Sequence, residues 1–440
     1  MMLALALSIV ALLLAVFLYV SGHTAVVPSG HGPEEPPRIP MTAMQVDPWA
    51  AEKRWLVQLF AAAWLVRLAV VVVINSTGAI QKLGLSSDSL HYTRIGKMLA
   101  VQMQMGHWDW SEWIDNGWYQ FNGLVFYLFG PHPVLIQLFN ITVASVVPVI
   151  FYFAVKKALK NVQVARWTAV MIAFFPSFIY WSALMLKDPV SWLAVALLAY
   201  GTVSLKQRLS LWGLVSILAG LVIFLGVREY MFYISIILVI ASMFPLKNAS
   251  LGLAWRWLAV IMILGFAAQA AGFGFLAIDK IQSSMYFDLD YLNHARVKLS
   301  MKGSGRFFDN PEEFVWGKDT WNDIKAAALA AYYSLVSLDL TNIGSVRQLM
   351  ALPEVLLFLY LLPKLWVGLV GIWRDHRNLA LPLLGFGFGI LVVYASATTN
   401  KGALFRWRMQ ALPFLLAFIA YGLAMRRQGW FYRFMRKVAG

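Results

Sequence analysis

An acidic residue opens the first long polar stretch of the chain. Asp88, Tyr92 and Ile95 lie at i, i+4 and i+7, so a helix starting here would carry all three on one face. Ser86 or Ser87 would cap such a helix, and Asp88 would lie near its positive end. Two interpretations of Asp88 remain open: a carboxylate that starts a helix, or a general base that takes a proton from a substrate hydroxyl.

A second stretch combines aromatic and acidic side chains. Between residues 106 and 119, four Trp and one Tyr alternate with three carboxylates. Trp and Tyr favour the headgroup zone of a membrane, and aromatic faces beside acids are also how proteins hold sugar rings. An interfacial aromatic belt and a sugar-binding surface therefore both remain open. The candidates for substrate contact in this region are His91, Tyr92, Trp118 and Tyr119.

Cations border apolar segments at four positions: Lys187, Arg228, Arg406 and Arg408. Arginine presents a planar fork suited to bidentate contact with phosphate, whereas lysine acts as a point charge. Two interpretations of each therefore stay open: contact with a phosphate, or an ordinary cation at a membrane boundary. Asp188 and Glu229 stand beside two of them and are further candidates for substrate contact.

Several carboxylates have spacings seen at metal sites, but no cofactor is firmly predicted. Asp288-Leu289-Asp290 has the Asp-x-Asp pattern, and Asp88 with His91, or Glu112 with Asp115, would also offer ligands to a divalent cation. Nothing in the sequence requires such an ion, and no residue is assigned as a metal ligand. The absence of cysteine excludes disulfides and thiolate chemistry.

The elements that must position these residues are membrane-spanning helices. Of the 440 residues, 60% are hydrophobic and 13% are charged, whereas soluble domains carry about 25% charged residues. The apolar residues form runs of about 20, the length that a helix needs to cross a bilayer. We expect an all-α polytopic membrane protein with about eleven transmembrane helices. The candidate spans are 2–20, 55–80, 132–155, 167–186, 189–205, 209–227, 230–246, 257–278, 351–372, 379–398 and 409–425.

The distribution of Lys and Arg predicts the orientation. Basic clusters occupy alternate connections and the C-terminal tail, which places these segments in the cytoplasm. The opposite face then receives the loop 81–131, the corners 187–189 and 228–229, and the loop 279–350. Short amphipathic helices are expected in the external loops. The net charge of +15 is explained by contact with anionic lipid, and no nucleic-acid partner is predicted.

Four parts are predicted along the chain. Residues 1–54 form an accessory N-terminal membrane helix and a Pro-rich linker, with a cleaved signal peptide as the alternative interpretation of the first helix. Residues 55–278 form the transmembrane core, 279–350 an extracytoplasmic lid or acceptor platform, and 351–440 the last transmembrane helices with a basic cytoplasmic tail.

The order of several short motifs resembles a known family. They are Asp88-x-x-x-Tyr92, Gly117-x-Tyr119, Tyr127-Leu128-Phe129-Gly130, Gln137-x-x-Asn140, Phe175-Pro176-Ser177, Trp181-Ser182 and Leu186-Lys187-Asp188. Together they resemble the GT-C glycosyltransferases, specifically the protein O-mannosyltransferase and aminoarabinose-transferase-like enzymes. The resemblance covers about 81–235. Beyond it, Asn400-x-Gly402-x-x-x-Arg406-x-Arg408 resembles a segment of bacterial polysaccharide-assembly members.

The resemblance implies a fold and a reaction. It implies a GT-C-like core that moves a sugar from a polyprenyl-phosphate donor to a glycan, lipid or protein acceptor, on the extracytoplasmic face of a bacterial inner membrane. Asp88 matches the position of the family's acid and would be the base, with the cations stabilising the leaving phosphate and the anomeric centre inverting. Two alternatives remain: a polysaccharide polymerase or O-antigen ligase, and a lipid-glycan flippase or transporter.

Overall fold

The structure is a computed structural model. It describes residues 48–78, 87–109, 116–243, 288–301, 315–317, 319–335, 346–398, 400–426 and 434–437, together with 258, 261, 262 and 265. The predicted first span 2–20, nearly all of the span 257–278, the acidic stretch 110–115 and the segment 302–314 lie outside the described residues.

The described part of the chain is about 90% helical and contains no strand. Its helices are α1 (Pro48–Thr77), α2 (Ser87–Gln104), α3 (Gly117–Phe129), α4 (Pro133–Leu159), α5 (Val162–Phe174), α6 (Pro176–Ser182), α7 (Asp188–Gln207), α8 (Leu211–Val227), α9 (Glu229–Met243), α10 (Leu289–Met301), α11 (Thr320–Leu335), α12 (Val346–Ala397), α13 (Lys401–Trp407) and α14 (Leu412–Arg426), with a 3-10 turn at Arg408–Gln410. Within the segment 81–131, the described residues form two helices, α2 of 18 residues and α3 of 13 residues.

Four of the described helices are long and apolar enough to cross a membrane: α1, α4, α7 and α12. The number rises to six if two bent pairs each form one span. These pairs are α5 with α6, bent by 49°, and the segment Gly402–Gln410 with α14, bent by 66°. Phe175 leaves the helical region at the first bend (ψ 129°) because the proline that follows it disfavours helical backbone. An all-helical chain with several membrane-crossing helices is therefore confirmed.

The longest helix, α12, turns back on itself. Near its start, the carboxylate of Glu354 lies 3.1 Å from Nη2 of Arg408. Near its end, the hydroxyl of Tyr394 accepts a hydrogen bond from Gln410 at 2.5 Å. A straight helix would separate Glu354 from Tyr394 by roughly 60 Å, yet both contact one three-residue turn. The two halves of α12 are therefore antiparallel, and they occupy the positions of the predicted spans 351–372 and 379–398.

Glycines let neighbouring helices approach closely. A Cβ atom on Gly201 of α7 would lie 2.6 Å from the backbone oxygen of Gly213 in α8. One on Gly220 of α8 would lie 2.9 Å from the backbone oxygen of Ala194 in α7. Small residues at such contacts are typical of helix packing in membranes, where van der Waals contact replaces the hydrophobic effect.

Polar side chains gather at the two ends of the helical bundle. At one end, Lys156 near the end of α4 lies 2.6 Å from Glu52 near the start of α1, and Lys206 near the end of α7 donates to the backbone oxygen of Ser242 at 2.6 Å. The starts of α2 and α7, the break between α8 and α9, and both ends of α12 lie at the other end. We call this second end the acidic end, since it holds Asp88 and Asp188.

Candidate functional site

Four charged side chains from distant parts of the chain form one continuous network at the acidic end. Nη1 of Arg406 lies 2.5 Å from Oδ2 of Asp88, and Nε of Arg406 lies 3.2 Å from Oδ2 of Asp188. The other oxygen of Asp188, Oδ1, accepts a hydrogen bond from Nη2 of Arg228 at 2.8 Å. Acid and base therefore alternate in the order Asp88, Arg406, Asp188, Arg228. We call these four residues the charge network.

The charge network is graded from exposed to buried. The Asp88 side chain is 47% exposed and that of Arg406 is 16% exposed. Asp188 is fully buried, and Arg228 is 3% exposed. Solvent and substrate thus have direct access to the Asp88 carboxylate, whereas the Asp188–Arg228 pair forms the closed base of the site.

Arg228 and Lys187 are held by further hydrogen bonds. Arg228 donates from Nε to the hydroxyl of Ser191 at 3.2 Å and from Nη1 to the hydroxyl of Tyr230 at 2.8 Å. Lys187 donates to the backbone oxygen of Val227 at 2.8 Å. This bond joins the residue before Asp188 to the residue before Arg228. Both predicted cations therefore lie at the base of the same site.

One polar contact in the charge network is incomplete. Oδ2 of Asp188 and Nε of Arg406 are both buried, and neither makes a hydrogen bond with another described residue, although they lie within ion-pair distance. A buried oxygen without a donor is unfavourable by about 1–3 kcal/mol. Arg406 covers Oδ2 of Asp188 in this structure, so the predicted substrate contact of Asp188 stays a prediction.

Helix α2 presents Asp88 and Tyr92 to the charge network. Asp88 lies in the first turn of α2, where the helix dipole favours a negative charge. Tyr92, one turn later, is buried. Burial raises the pKa of the Tyr92 hydroxyl well above its ordinary value, with Arg406 opposing the shift and Asp188 adding to it. The hydroxyl therefore stays protonated and neutral.

The predicted aromatic contacts cluster around Tyr92. Its ring lies 5.3 Å from that of Tyr119 and 6.3 Å from that of Trp118. His91 is exposed and meets the edge of Tyr119 at 6.0 Å. Trp118 is almost fully buried, so in this conformation His91 and Tyr119 present more surface to a ligand than Trp118 does.

Two buried carboxamides, which our sequence analysis did not assign to the site, support the corner before α7. Residues Ala183 to Leu186 are not helical, and all four are fully buried. Gln137 donates to the backbone oxygen of Ala183 at 2.9 Å. Asn140 donates to the backbone oxygens of Leu184 and Leu186, both at 2.8 Å. The Gln137-x-x-Asn140 motif was the sequence signal for this support.

Arg408 belongs to a second, separate ion pair. It lies 3.1 Å from Glu354 and donates to the backbone oxygen of Leu335 at 2.6 Å. Glu354 also accepts from the backbone nitrogen of Ser177 at 2.7 Å and from its hydroxyl. This pair ties α6 to α12 and to the turn that follows α13. It lies two residues from Arg406, so its geometry fits a supporting role; the predicted phosphate contact of Arg408 stays a prediction.

The remaining predicted site residues lie at the margin. Glu229 is half-buried and accepts a hydrogen bond from the hydroxyl of Tyr233 at 2.9 Å. Among the described residues, no group of three or more His, Asp or Glu side chains is arranged to hold a metal ion, and the alternative pair Glu112 with Asp115 lies outside them.

The geometry allows specific chemistry. An exposed carboxylate fixed by an arginine is able to accept a proton from a hydroxyl. Arginine donors next to it are able to stabilise negative charge that develops on a leaving oxygen. Acid and cation lie side by side in this site. No family model and no curated protein matches the chain.

Proposed function

We propose that the protein is a membrane glycosyltransferase of GT-C type. It moves a sugar from a polyprenyl-phosphate donor to a glycan, lipid or protein acceptor, with inversion at the anomeric carbon. The charge network supports this proposal most directly, because it joins Asp88 to Arg406, Asp188 and Arg228 at one end of the bundle. Scattered positions for these residues would have opposed the mechanism.

The proposed reaction begins at Asp88. Its carboxylate takes the proton from the acceptor hydroxyl, and the acceptor oxygen attacks the anomeric carbon of the donor sugar. The bond between that carbon and the phosphate oxygen breaks, and the electron pair leaves with the polyprenyl phosphate. Arg406, Arg228 and Lys187 are the cations nearest this chemistry and stabilise the leaving phosphate.

Asp188 has two tasks in this proposal. Oδ1 orients the Arg228 guanidinium. Oδ2 lies 3.2 Å from Nε of Arg406 and holds that guanidinium beside Asp88. His91 and Tyr119 then flank the sugar from the side of α2 and α3.

The membrane arrangement follows from charge. The end of the bundle that holds Lys156 and Lys206 faces the cytoplasm according to the positive-inside rule. The acidic end faces the outside of a bacterial inner membrane. About eleven spans complete the proposed GT-C-like fold, including the spans predicted outside the described residues.

The first test is transfer by purified protein in nanodiscs. The substrates are a panel of undecaprenyl-phosphate sugars, and the measured product is undecaprenyl phosphate released in the presence of an acceptor mixture. Asp88→Asn abolishes release in our proposal, because the amide cannot accept the proton. The matched control is Asp290→Asn, since Asp290 is also an exposed acid in the first turn of a short helix.

The second test is binding of the product lipid. Wild-type protein binds undecaprenyl phosphate at least about tenfold more tightly than undecaprenol, which has the same chain without the charge. Arg406→Met reduces this preference, and Asp88→Asn retains it. Full activity of Asp88→Asn, or no preference for the phosphate, would refute the proposal and favour a polymerase, a ligase or a transporter.

A further inference from the structure

The corner between α6 and α7 is a buried loop at the centre of the site. Ala183, Leu184, Met185 and Leu186 have no exposed surface and lie outside any helix. Their backbone carbonyls therefore have no direct contact with solvent; that of Leu184 accepts a hydrogen bond from the backbone nitrogen of Leu186 at 2.9 Å. Buried carbonyls need a hydrogen-bond donor, because an unsatisfied one is costly.

Asn140 supplies a donor to two of these carbonyls at once. Its single side-chain nitrogen has two N–H groups, which donate to the oxygens of Leu184 and Leu186. Neither aspartate nor leucine at this position would supply both bonds, although both have a similar size. Asn140 is fully buried, so its orientation is set by these bonds and by packing.

The same corner is linked to three helices, α4, α1 and α2. Gln137 links Ala183 to α1, since Gln137 also accepts from the side chain of Asn75 at 2.9 Å. Thr93 of α2 donates to the sulfur of Met185 at 3.3 Å. The corner thus lies between α2, which carries Asp88 in its first turn, and α7, which starts with Asp188.

The corner also determines where Asp188 lies. Asp188 is the first residue of α7, two residues after Leu186. Its two oxygens face Arg228 and Arg406. Errors of about 1 Å in such a position cost on the order of a hundredfold in rate.

We propose that Asn140 is a positioning residue, which holds the buried corner so that Lys187 meets the phosphate of the lipid donor and Asp188 holds Arg228 and Arg406 in place. The positional part of this inference stands on geometry, and its consequence for the lipid rests on the proposed function. Asn140 itself does not touch the substrate.

Asn140→Leu is the variant that tests this role, and Asn122→Leu is its matched control. Asn122 is equally buried, lies in the neighbouring helix α3, and makes no side-chain hydrogen bond with another described residue. Loss of a buried carboxamide is thus common to both variants, whereas loss of support for the corner is specific to Asn140. If Asn140→Leu fails to fold, Asn140→Ser replaces it as the test variant, because the serine hydroxyl is a shorter hydrogen-bond donor.

The first measurement tests the position of the corner and needs no assay of activity. The chain has no cysteine, so a Thr93→Cys/Met185→Cys pair is cross-linked selectively by dibromobimane, which becomes fluorescent when it joins two thiols. We expect the rate of cross-linking to fall at least about fivefold in the Asn140 variant, because the corner moves away from α2 when its two hydrogen bonds are lost. The rate stays unchanged in the Asn122 variant.

The second measurement is the binding affinity for the lipid. Affinity for undecaprenyl phosphate falls about tenfold or more in the Asn140 variant, while affinity for undecaprenol is unchanged. The inference is overturned if the Asn140 variant cross-links and binds lipid as Asn122→Leu does. It is also overturned if the Asn140 variant cross-links more slowly but binds the lipid as wild type does. A wild-type protein that does not prefer the phosphate refutes the proposed function instead, and the cross-linking result still decides whether Asn140 holds the corner.

Discussion

Asp88 and Asp188 both contact Arg406, yet the structure predicts opposite consequences for their removal. The Asp188 side chain is fully buried, and its partner Arg228 is 3% exposed. The Asp88 side chain is 47% exposed. We therefore expect Asp188→Ala to affect mainly the stability of the fold, and Asp88→Ala to affect mainly the proposed reaction.

The magnitudes follow from burial. Removal of one partner from a buried ion pair costs about 3–5 kcal/mol, because the other charge is left without compensation. Asp188→Ala leaves Arg228 in this state, with the neutral hydroxyls of Ser191 and Tyr230 and the ring of Trp407 as its partners among the described residues. A solvent-exposed ion pair contributes below about 1 kcal/mol, so Asp88→Ala should lower the free energy of unfolding by less than that.

The assay is reversible unfolding of the purified protein in mixed micelles by increasing amounts of SDS, followed by the loss of helical circular dichroism. A double variant, Asp188→Leu with Arg228→Met, provides the internal control. It removes both buried charges, and replacement of a buried pair by apolar groups is often neutral, so we expect most of the stability to return. Equal losses for Asp88→Ala and Asp188→Ala would refute this reasoning, as would a double variant less stable than Asp188→Ala.

Three further predictions concern separate contacts. Glu354→Gln should lower the free energy of unfolding by about 3 kcal/mol, measured in the same SDS titration, because Arg408 loses its buried countercharge. An Asp88→Cys/Arg406→Cys pair should be cross-linked by dibromobimane, since these side chains touch in the structure; fluorescence of the product is the measurement. Gly201→Ala should cost about 1–3 kcal/mol in that titration, since its Cβ atom would lie 2.6 Å from a backbone oxygen of α8.

Two of these predictions have a matched control. Gly402→Ala should be tolerated, because the nearest atom to its Cβ, in the side chain of Asn400, would lie 3.4 Å away. An Asp88→Cys/Lys156→Cys pair should not be cross-linked, since these residues lie at opposite ends of the bundle. Equal losses of stability for the two glycine variants would contradict the close approach at Gly201. Equal cross-linking of the two cysteine pairs would contradict the contact between Asp88 and Arg406. Unchanged stability of Glu354→Gln would contradict the ion pair with Arg408.

The class of protein was predictable from the sequence alone. Apolar runs of about 20 residues with few charges have one stable form in lipid, the helix, because every backbone polar group must be satisfied internally. Asp88, Asp188 and Arg228 were also recognisable, since each is a charge at the border of an apolar run. Their residue types limit their chemistry to acid, base and phosphate contact, whichever way the helices pack.

Only the tertiary structure decided which of these residues meet. Arg406 pairs with Asp88 across 318 positions of the chain, whereas Arg408, two residues later, pairs with Glu354. The sequence led to the same prediction, a phosphate contact, for both arginines. The difference arises because residues two apart in a helical segment face different sides, and the neighbours on each side are determined by packing.

Packing likewise determined the support of the site. That α12 turns back on itself follows from contacts of its two halves with one short turn. Asn140 and Gln137 appear in the sequence as isolated polar residues near the start of an apolar helix, and no local pattern shows that their partners are carbonyls about 45 residues away. The sequence by itself determined the membrane class and the candidate chemical groups, because these depend on residue type and on local periodicity. The pairing of those groups and the buried support beneath them depend on contacts between distant segments, which only the tertiary structure decides.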